Sequence, residues 1–388
     1  MAAREDVGRT DRAEPTWAAN LSDWAPKVRS VAIVPNYAAL NLGALTVPVS
    51  RAEVKQFRRT SRAKGVDWAQ AGSILLIAMV TTTLAALVLF WVIGSVSSLL
   101  AGDGTALAPV FGFTPVLALA AVVGLVLFLA IRVAGGNTWL RWLRLTRFAE
   151  ANGLHFAPNV PGPDYPGTIF GVGTSRRITE HLYRSEGRNL DLGNYVYTTG
   201  SGKQRQVHRW GYLALKLDRT LPHMVLDARD NNSIFGFSNL PTSFDRNQVL
   251  SLEGDFDRYF TLYCPRQYER DALYVFTPDL MALLIDQTAH FDVEIIDDWL
   301  FAYSASALKF TDPGAMAHLF RIIDTVGERT LARTDRYADY RMGDRSLDRV
   351  APAGRRLRRS VPAVMIAAIA FIAVVFGLNF LSLVSSLL

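Results

Sequence analysis

A few side chains in this sequence have the types and spacing that could do chemistry. His223 and Asp227 stand four residues apart in Leu221-Pro222-His223-Met224-Val225-Leu226-Asp227, and on a strand both would face one way. That pair could ligate a metal, although a lone His in a mixed sheet is more often a hydrogen-bonded structural residue. Carboxylates cluster at Glu253, Asp255 and Asp257, again at Asp292 and Glu294, and at Asp297 and Asp298. Paired acids can act as general acid and base, and they equally mark turns and solvated edges. A hydrolase built from the carboxylates with His208, His223 and Asp227 is thus one reading. Cys264, the one cysteine, ends an apolar run at Leu262-Tyr263-Cys264-Pro265. A structural thiol is the favoured reading there, over a nucleophile that would need a base and an electropositive setting.

Other motifs fall short of a cofactor site. A phosphate loop needs a Gly five residues before its Gly-Lys pair and a Ser or Thr after it. Around Gly202-Lys203 those positions hold Tyr197 and Gln204, so Gly200-Ser201-Gly202-Lys203 reads as a hairpin turn. Gly171-Val172-Gly173 lacks the third glycine of a dinucleotide fingerprint. The six histidines, His155, His181, His208, His223, His290 and His318, form no HExxH pattern. No cofactor and no metal is expected, and a non-enzymatic role is favoured.

The elements that must position these residues come next. Runs rich in β-branched and aromatic residues, separated by turn residues, predict strands near 177–183, 189–198, 208–216, 223–228, 249–252, 259–264, 272–276, 293–296 and 299–303. Thr277-Pro278-Asp279 and Thr311-Asp312-Pro313 are helix starts, each with a capping residue and a Pro at the first turn. Met316, Leu319, Phe320 and Ile323 follow the second at helical spacing, and that helix is expected to continue towards Tyr340. Leu140–Ala151 reads as a further helix, with Trp139, Trp142 and Leu143 as interfacial anchors. Strands followed by helices give an α+β class, with a pleckstrin-like sheet and C-terminal helix as one guess.

Hydropathy adds a membrane expectation. Residues 68–102, 104–131 and 360–388 contain no Asp, Glu, Lys or Arg, and about 20 apolar residues suffice to span a bilayer. The expected organisation is a cytoplasmic segment at 1–70 and a transmembrane hairpin at 71–134, with spans 72–100 and 113–133. A cytoplasmic α+β domain at 135–359 and a C-terminal transmembrane helix at 360–388 (span 361–384) follow. Basic clusters beside the spans place the N-terminus and main domain in the cytoplasm and the C-terminus outside. The predominance of Arg over Lys and the abundance of Ala suit a bacterial chain, hence a multi-pass protein of a bacterial cytoplasmic membrane. Arg58, Arg59, Arg62, Lys64, Arg141, Arg144, Arg355, Arg356, Arg358 and Arg359 are the expected contacts to anionic headgroups. Small residues at four-residue spacing, Ala120/Gly124 and Ala373/Gly377, would let spans pack or self-associate. The spans lack charge, which argues against a transporter.

The 388 residues carry a formal net charge of +6. Residues 150–340 hold 19 basic and 25 acidic side chains, a net of −6, so the basic excess lies outside the domain. Nucleic acid is therefore not an expected partner.

The segment Leu252-Glu253-Gly254-Asp255-Phe256-Asp257-Arg258-Tyr259-Phe260-Thr261-Leu262-Tyr263 continues through Asp271-Ala272-Leu273-Tyr274-Val275-Phe276-Thr277-Pro278-Asp279-Leu280-Met281. It resembles a bacterial membrane-anchored family classed as a domain of unknown function, some members of which are encoded near LemA-type proteins. The resemblance covers about 167–303 and departs at Cys264-Pro265 and in the C-terminal apolar run. It implies an envelope location and supplies no catalytic residues. The combined expectation is a membrane-tethered interaction or regulatory module with an unidentified protein partner in the cell envelope.

Overall fold

Twenty-three residues from Gln206 to Ala228 form one strand that organises the domain. Its side chains alternate between two cores: Leu213, Leu215 and Leu226 enter one, while Trp210, Tyr212, Ala214 and Val225 enter the other. The computed structural model describes residues 40–63, 138–187, 189–232, 238–344 and 347–360, together with the single positions 124, 374 and 376.

The described chain begins with α1 (Gly43–Thr46) and α2 (Arg51–Ala63), then α3 (138–151). Strands β1 (His155–Pro161), β2 (Thr174–Arg184) and β3 (Leu190–Thr199) lead into the long strand, β4. After β4 come β5 (Ser243–Phe244), β6 (Val249–Leu250), α4 (Phe256–Tyr259), β7 (Phe260–Tyr263), α5 (Glu269–Val275) and α6 (Pro278–Thr288). The chain then runs through β8 (Asp292–Ser304), α7 (Pro313–Ile322), a π turn at Ile323–Gly327, α8 (Glu328–Thr334), α9 (Pro352–Arg355) and β9 (Arg359–Ser360).

The main sheet is antiparallel throughout and branches at β4. β3 pairs with its first half, from Leu190↔Leu215 to Thr199↔Gln206. β7 pairs with its last four residues, and β8 runs along the opposite edge from Gly211↔Ser304 to Leu226↔Val293. β1 and β2 extend the sheet beyond β3, β6 lies outside β7, and β5 and β9 form a separate two-stranded pair.

Helices cover one face, where Leu145 and Phe148 of α3, Leu280 and Leu284 of α6, and Met316, Leu319 and Phe320 of α7 are buried against the strands. The other face is aromatic, with Phe170, Tyr195, Tyr197, Trp210, Tyr212, Phe301 and Tyr303 in one cluster. A connection at 162–173 lies over it. Gly167 allows that approach, since a Cβ there would collide with the Tyr303 hydroxyl and Phe301.

Several expectations need correction. No helix among the described residues is long and apolar enough to cross a membrane. The longest described helix, α3, has fourteen residues and carries three arginines. The three-span architecture and multi-pass location are corrected to an α+β fold on an antiparallel sheet. Their basis was freedom from charge, which is a property of composition, whereas a span requires one continuous apolar helix. The runs 72–100, 113–133 and 361–384 lie outside the described residues, apart from positions 124, 374 and 376. Trp139 is no interfacial anchor: it is 2% exposed and meets Phe57 of α2 edge-on at 6.3 Å. A Ser50/Glu53 capping box starts α2. Glu53 then reaches Arg147 at 2.6 Å, and these hydrogen bonds hold its carboxyl down to about 2. The pleckstrin-like guess gives way to several helices layered on one sheet face. The expected strand at 272–276 is the second half of α5 and its exit, and the helix expected to reach Tyr340 ends at Thr334.

Candidate functional site

The polar residues singled out from sequence converge on the aromatic face, and the sheet register explains how. Val225 pairs with Glu294 and Leu226 with Val293. His223, Val225 and Asp227 therefore share a face with Asp292 and Glu294. The face is kept through β8 because the alternation is reset at Asp297, at φ +53°, opposite the register shifts of β4 between Lys216 and Met224, before Trp299, Phe301 and Tyr303.

Glu294 is 1% exposed and fully engaged. Its Oε1 accepts from Thr168 Oγ1 (2.6 Å) and His223 Nε2 (2.7 Å). Its Oε2 accepts from the Thr168 amide (2.8 Å) and the Tyr303 hydroxyl (2.7 Å). Four donors fill a carboxylate's lone-pair sites. Burial works to raise this carboxyl, but the donors from His223 and Thr168 outweigh it and hold it below the ordinary range. On the other side of the ring, His223 Nδ1 accepts the Leu357 amide at 3.0 Å. That bond requires a bare Nδ1, which leaves the proton on Nε2 facing Glu294. One residue thus ties together β4, β8, the 162–173 connection and the C-terminal segment.

Asp191 on β3 repeats the arrangement. Tyr212 (2.6 Å) and His181 (2.8 Å) meet its Oδ1, and Tyr165 (2.6 Å) meets its Oδ2. Burial and the adjacent Asp191 charge push the Tyr165 and Tyr212 hydroxyls upward, keeping both protonated as donors. The 162–173 connection is therefore pinned twice, through Tyr165 and Thr168. At the first node every carboxylate lone pair is taken, and at the second the His181 Nδ1 atom is buried without a partner.

Asp227 and Asp292 differ. They are 5% and 1% exposed. Asp292 Oδ1 accepts the Ala228 amide at 2.8 Å, while Asp292 Oδ2 and Asp227 Oδ1 are buried with no hydrogen-bond partner. Burial, and for Asp292 also the charge of Asp227, pushes these carboxyls up to about 7 and about 6. Ser238 and then Asn232 beside Asp227, and the Ala228 amide and then Asn231 beside Asp292, restrain the shift.

The remaining candidates are scattered. His208 stacks on Tyr197 and meets Thr199 Oγ1 at 2.7 Å, at the far end of β4. His290 pairs with Asp230 at the surface, and burial lowers His318. Asp257 braces a turn through Ser251 and the Leu252 amide, and Asp298 pairs with Lys216 at 2.5 Å. Cys264 is buried, and desolvation pushes its thiol up to about 12. Gly200 and Gly202 take positive φ in the expected β3–β4 hairpin turn. Among the described residues, no three His, Cys, Asp or Glu side chains converge to hold a metal.

Of the expected basic contacts, Arg59, Arg141, Arg355, Arg356, Arg358 and Arg359 are exposed, and several also make contacts within the chain. Arg141 pairs with Glu180, Arg58 lies over the Trp139 ring, and Arg144 is half-buried. Arg355 Nε donates to the Val350 carbonyl, and Arg356 grips Asp297 with two bonds of 2.8 and 2.9 Å. The Arg358 backbone pairs with the Gln248 side chain, and Arg359 lies in β9. Arg59 is exposed, whereas Lys64 and the Arg62 side chain lie outside the described residues.

Sequence reasoning missed Tyr165, Thr168, Asp191, Tyr212 and Tyr303. A period-two reading of Leu190–Thr199 places Asp191 with Tyr195 and Tyr197, and that was the one available signal. It also missed a second polar region around α5. There Tyr268 donates to Asp339 (2.6 Å), Tyr337 to Asp271 (2.8 Å), and Arg341 to both acids (3.0 and 3.2 Å). Beside this network opens a cleft of about 300 Å³ lined by Arg270, Asp271, Tyr274, Arg336, Tyr337 and Tyr340.

No family model, no curated protein and no solved structure matches the chain. The family resemblance accordingly rests on the residues of 252–281 alone, which form α4, β7, α5 and the start of α6.

Proposed function

We propose that this chain is a binding module, not a hydrolase, and that it meets an acidic protein partner through the surface around α5. The observation that carries this reading is the exposed Tyr/Arg composition of that surface. Arg270, Leu273 and Tyr274 share one helical face at i, i+3 and i+4. Leu273 and Tyr340 are each 53% exposed, and Arg270, Tyr274, Arg336 and Tyr340 line the cleft. Tyrosine and arginine supply much of the energy at protein interfaces, as large rigid surfaces and bidentate donors. Here they are held in place from beneath: Arg333 covers Tyr274 at 4.2 Å, and Arg341 lies between Tyr268 and Tyr340 at 3.8 and 4.1 Å. Exposed arginines select an acidic partner surface. Against the hydrolase reading stand the filled lone pairs of Glu294 and the scattered positions of His208, His290, His318, Asp257 and Asp298.

The test is site-specific photo-crosslinking in the native host from a reactive residue at position 273. One adduct of defined mass, abolished by Arg270→Glu with Arg336→Glu in a chain that still melts cooperatively, is expected. Absence of an adduct, or an adduct indifferent to the charge reversal, would refute the assignment.

A further inference from the structure

We propose that Asp227, Asp292, Asn231 and Asn232 form an oxygen-only site for a hard divalent cation of the calcium class. Register places the two acids opposite one another at the end of the β4–β8 ladder, one step beyond Leu226↔Val293. Asp292 uses one oxygen to hold the Ala228 amide. Its second oxygen and Asp227 Oδ1 are both buried without a partner. The chain turns directly after β4, bringing Asn231 beside Asp292 and Asn232 beside Asp227, which the Ser238 hydroxyl also approaches. Asn231 Oδ1 and Nδ2 and Asn232 Oδ1 are likewise buried without partners. Buried polar groups are otherwise satisfied almost everywhere in folded proteins, so a cluster of this kind indicates an ion or water among them.

Chemistry then selects the occupant. Two carboxylates and two amide carbonyls offer oxygen alone, which disfavours zinc, copper and other metals that take His or Cys. Calcium accepts carboxylate and amide oxygens with waters in a flexible shell, whereas magnesium demands near-ideal octahedral geometry. The unpartnered Asn231 amide can present its oxygen by a simple flip. Glu294 adds negative charge nearby, although its own oxygens are committed. Arg229 lies near enough to favour the Asp227 charge and competes with a cation, and the Tyr263 hydroxyl faces the same carboxylate. Among the described residues no third acidic or His ligand joins, which sets affinity at the weak end for calcium sites, about 10⁻⁴–10⁻³ M.

The full chain, stripped with chelator and titrated with calcium chloride to about 10 mM at pH 7.5, tests the site by calorimetry and thermal melting. A saturable heat and a rise in Tm of about 2–5 °C are expected, with a smaller response to magnesium. Asp292→Asn should abolish the response while melting, metal-free, no lower than the wild-type chain, because it removes a buried charge. Asn231→Ala should weaken calcium binding several-fold without loss of folding. A wild-type chain indifferent to calcium, or an equal calcium response in wild type and Asp292→Asn, would overturn the proposal.

Discussion

Glu294→Gln puts the internal role of the aromatic face at risk with a change of two atoms. The carboxylate receives four donors, two of them N–H groups that cannot reverse: the Thr168 amide at Oε2 and His223 Nε2 at Oε1. A glutamine must set its NH₂ at one of these positions. At the first it confronts the Thr168 N–H. At the second it confronts His223, which could move its proton to Nδ1 only by confronting the Leu357 amide at 3.0 Å. Either orientation leaves one buried donor unsatisfied, costing about 1–3 kcal/mol, and loses the charge-assisted strength of the remaining bonds. We expect a destabilisation of about 2–4 kcal/mol, in the range for breaking a buried polar network. Tyr303→Phe, which removes one donor and leaves three, should cost about 1 kcal/mol. Urea unfolding of the full chain at pH 7.5, followed by tryptophan fluorescence, reads both values. A Glu294→Gln midpoint indistinguishable from wild type, at unchanged slope, would refute this account of the node.

Further outcomes follow from other parts of the fold. Asp292 and Asp227 are pushed up to about 7 and about 6, above the ordinary value near 4 in an unfolded chain. The folded state then keeps protons that the unfolded state has lost, so their contribution is present below about pH 4 and is lost as pH rises through 7. In chelator, the stability of wild type relative to Asp292→Asn should fall across that window, and a flat difference would contradict it. Cys264, with its thiol pushed up to about 12, should resist iodoacetamide at pH 8 in the native chain and react on unfolding; mass spectrometry reads the adduct. Gly167→Ala, whose Cβ would strike the Tyr303 hydroxyl, should cost about 1–3 kcal/mol by the same urea titration. Arg356→Ala removes a pair whose side chains are 51% and 36% exposed and should change stability by less than about 1 kcal/mol.

The local signals in the sequence located most strands but misjudged their breaks. Pro222 and the Asp297-Asp298 pair look like interruptions, yet β4 and β8 run through them with register shifts at 216–224 and a positive φ at Asp297. β1 was hidden by Pro158 and Pro161, residues an edge strand can hold on its solvent side. The run Ala272-Leu273-Tyr274-Val275 carries strand-like residues but follows Glu269 and Asp271, which favour a helix start, and tertiary packing makes it helical. Helix starts at Pro278 and Pro313 were legible because start signals are local; Asp312 accepts from the Gly314 amide, whereas Thr277 takes the N-cap position without a side-chain cap bond. The buried nodes were not, since His223 and Thr168 lie 71 and 126 residues from Glu294. Their partnership is created by sheet register, which no short spacing encodes. Freedom from charge in three long runs spoke of composition only, and no described helix turns it into a span.

The most direct test of the central claim, that Glu294 clamps two distant segments to the aromatic face, is hydrogen exchange resolved by peptide in wild type and Glu294→Gln. The clamp predicts faster exchange in both 162–172 and 353–358, with α6 and α7 on the opposite face unchanged. Unaltered protection of both segments in the variant would contradict it.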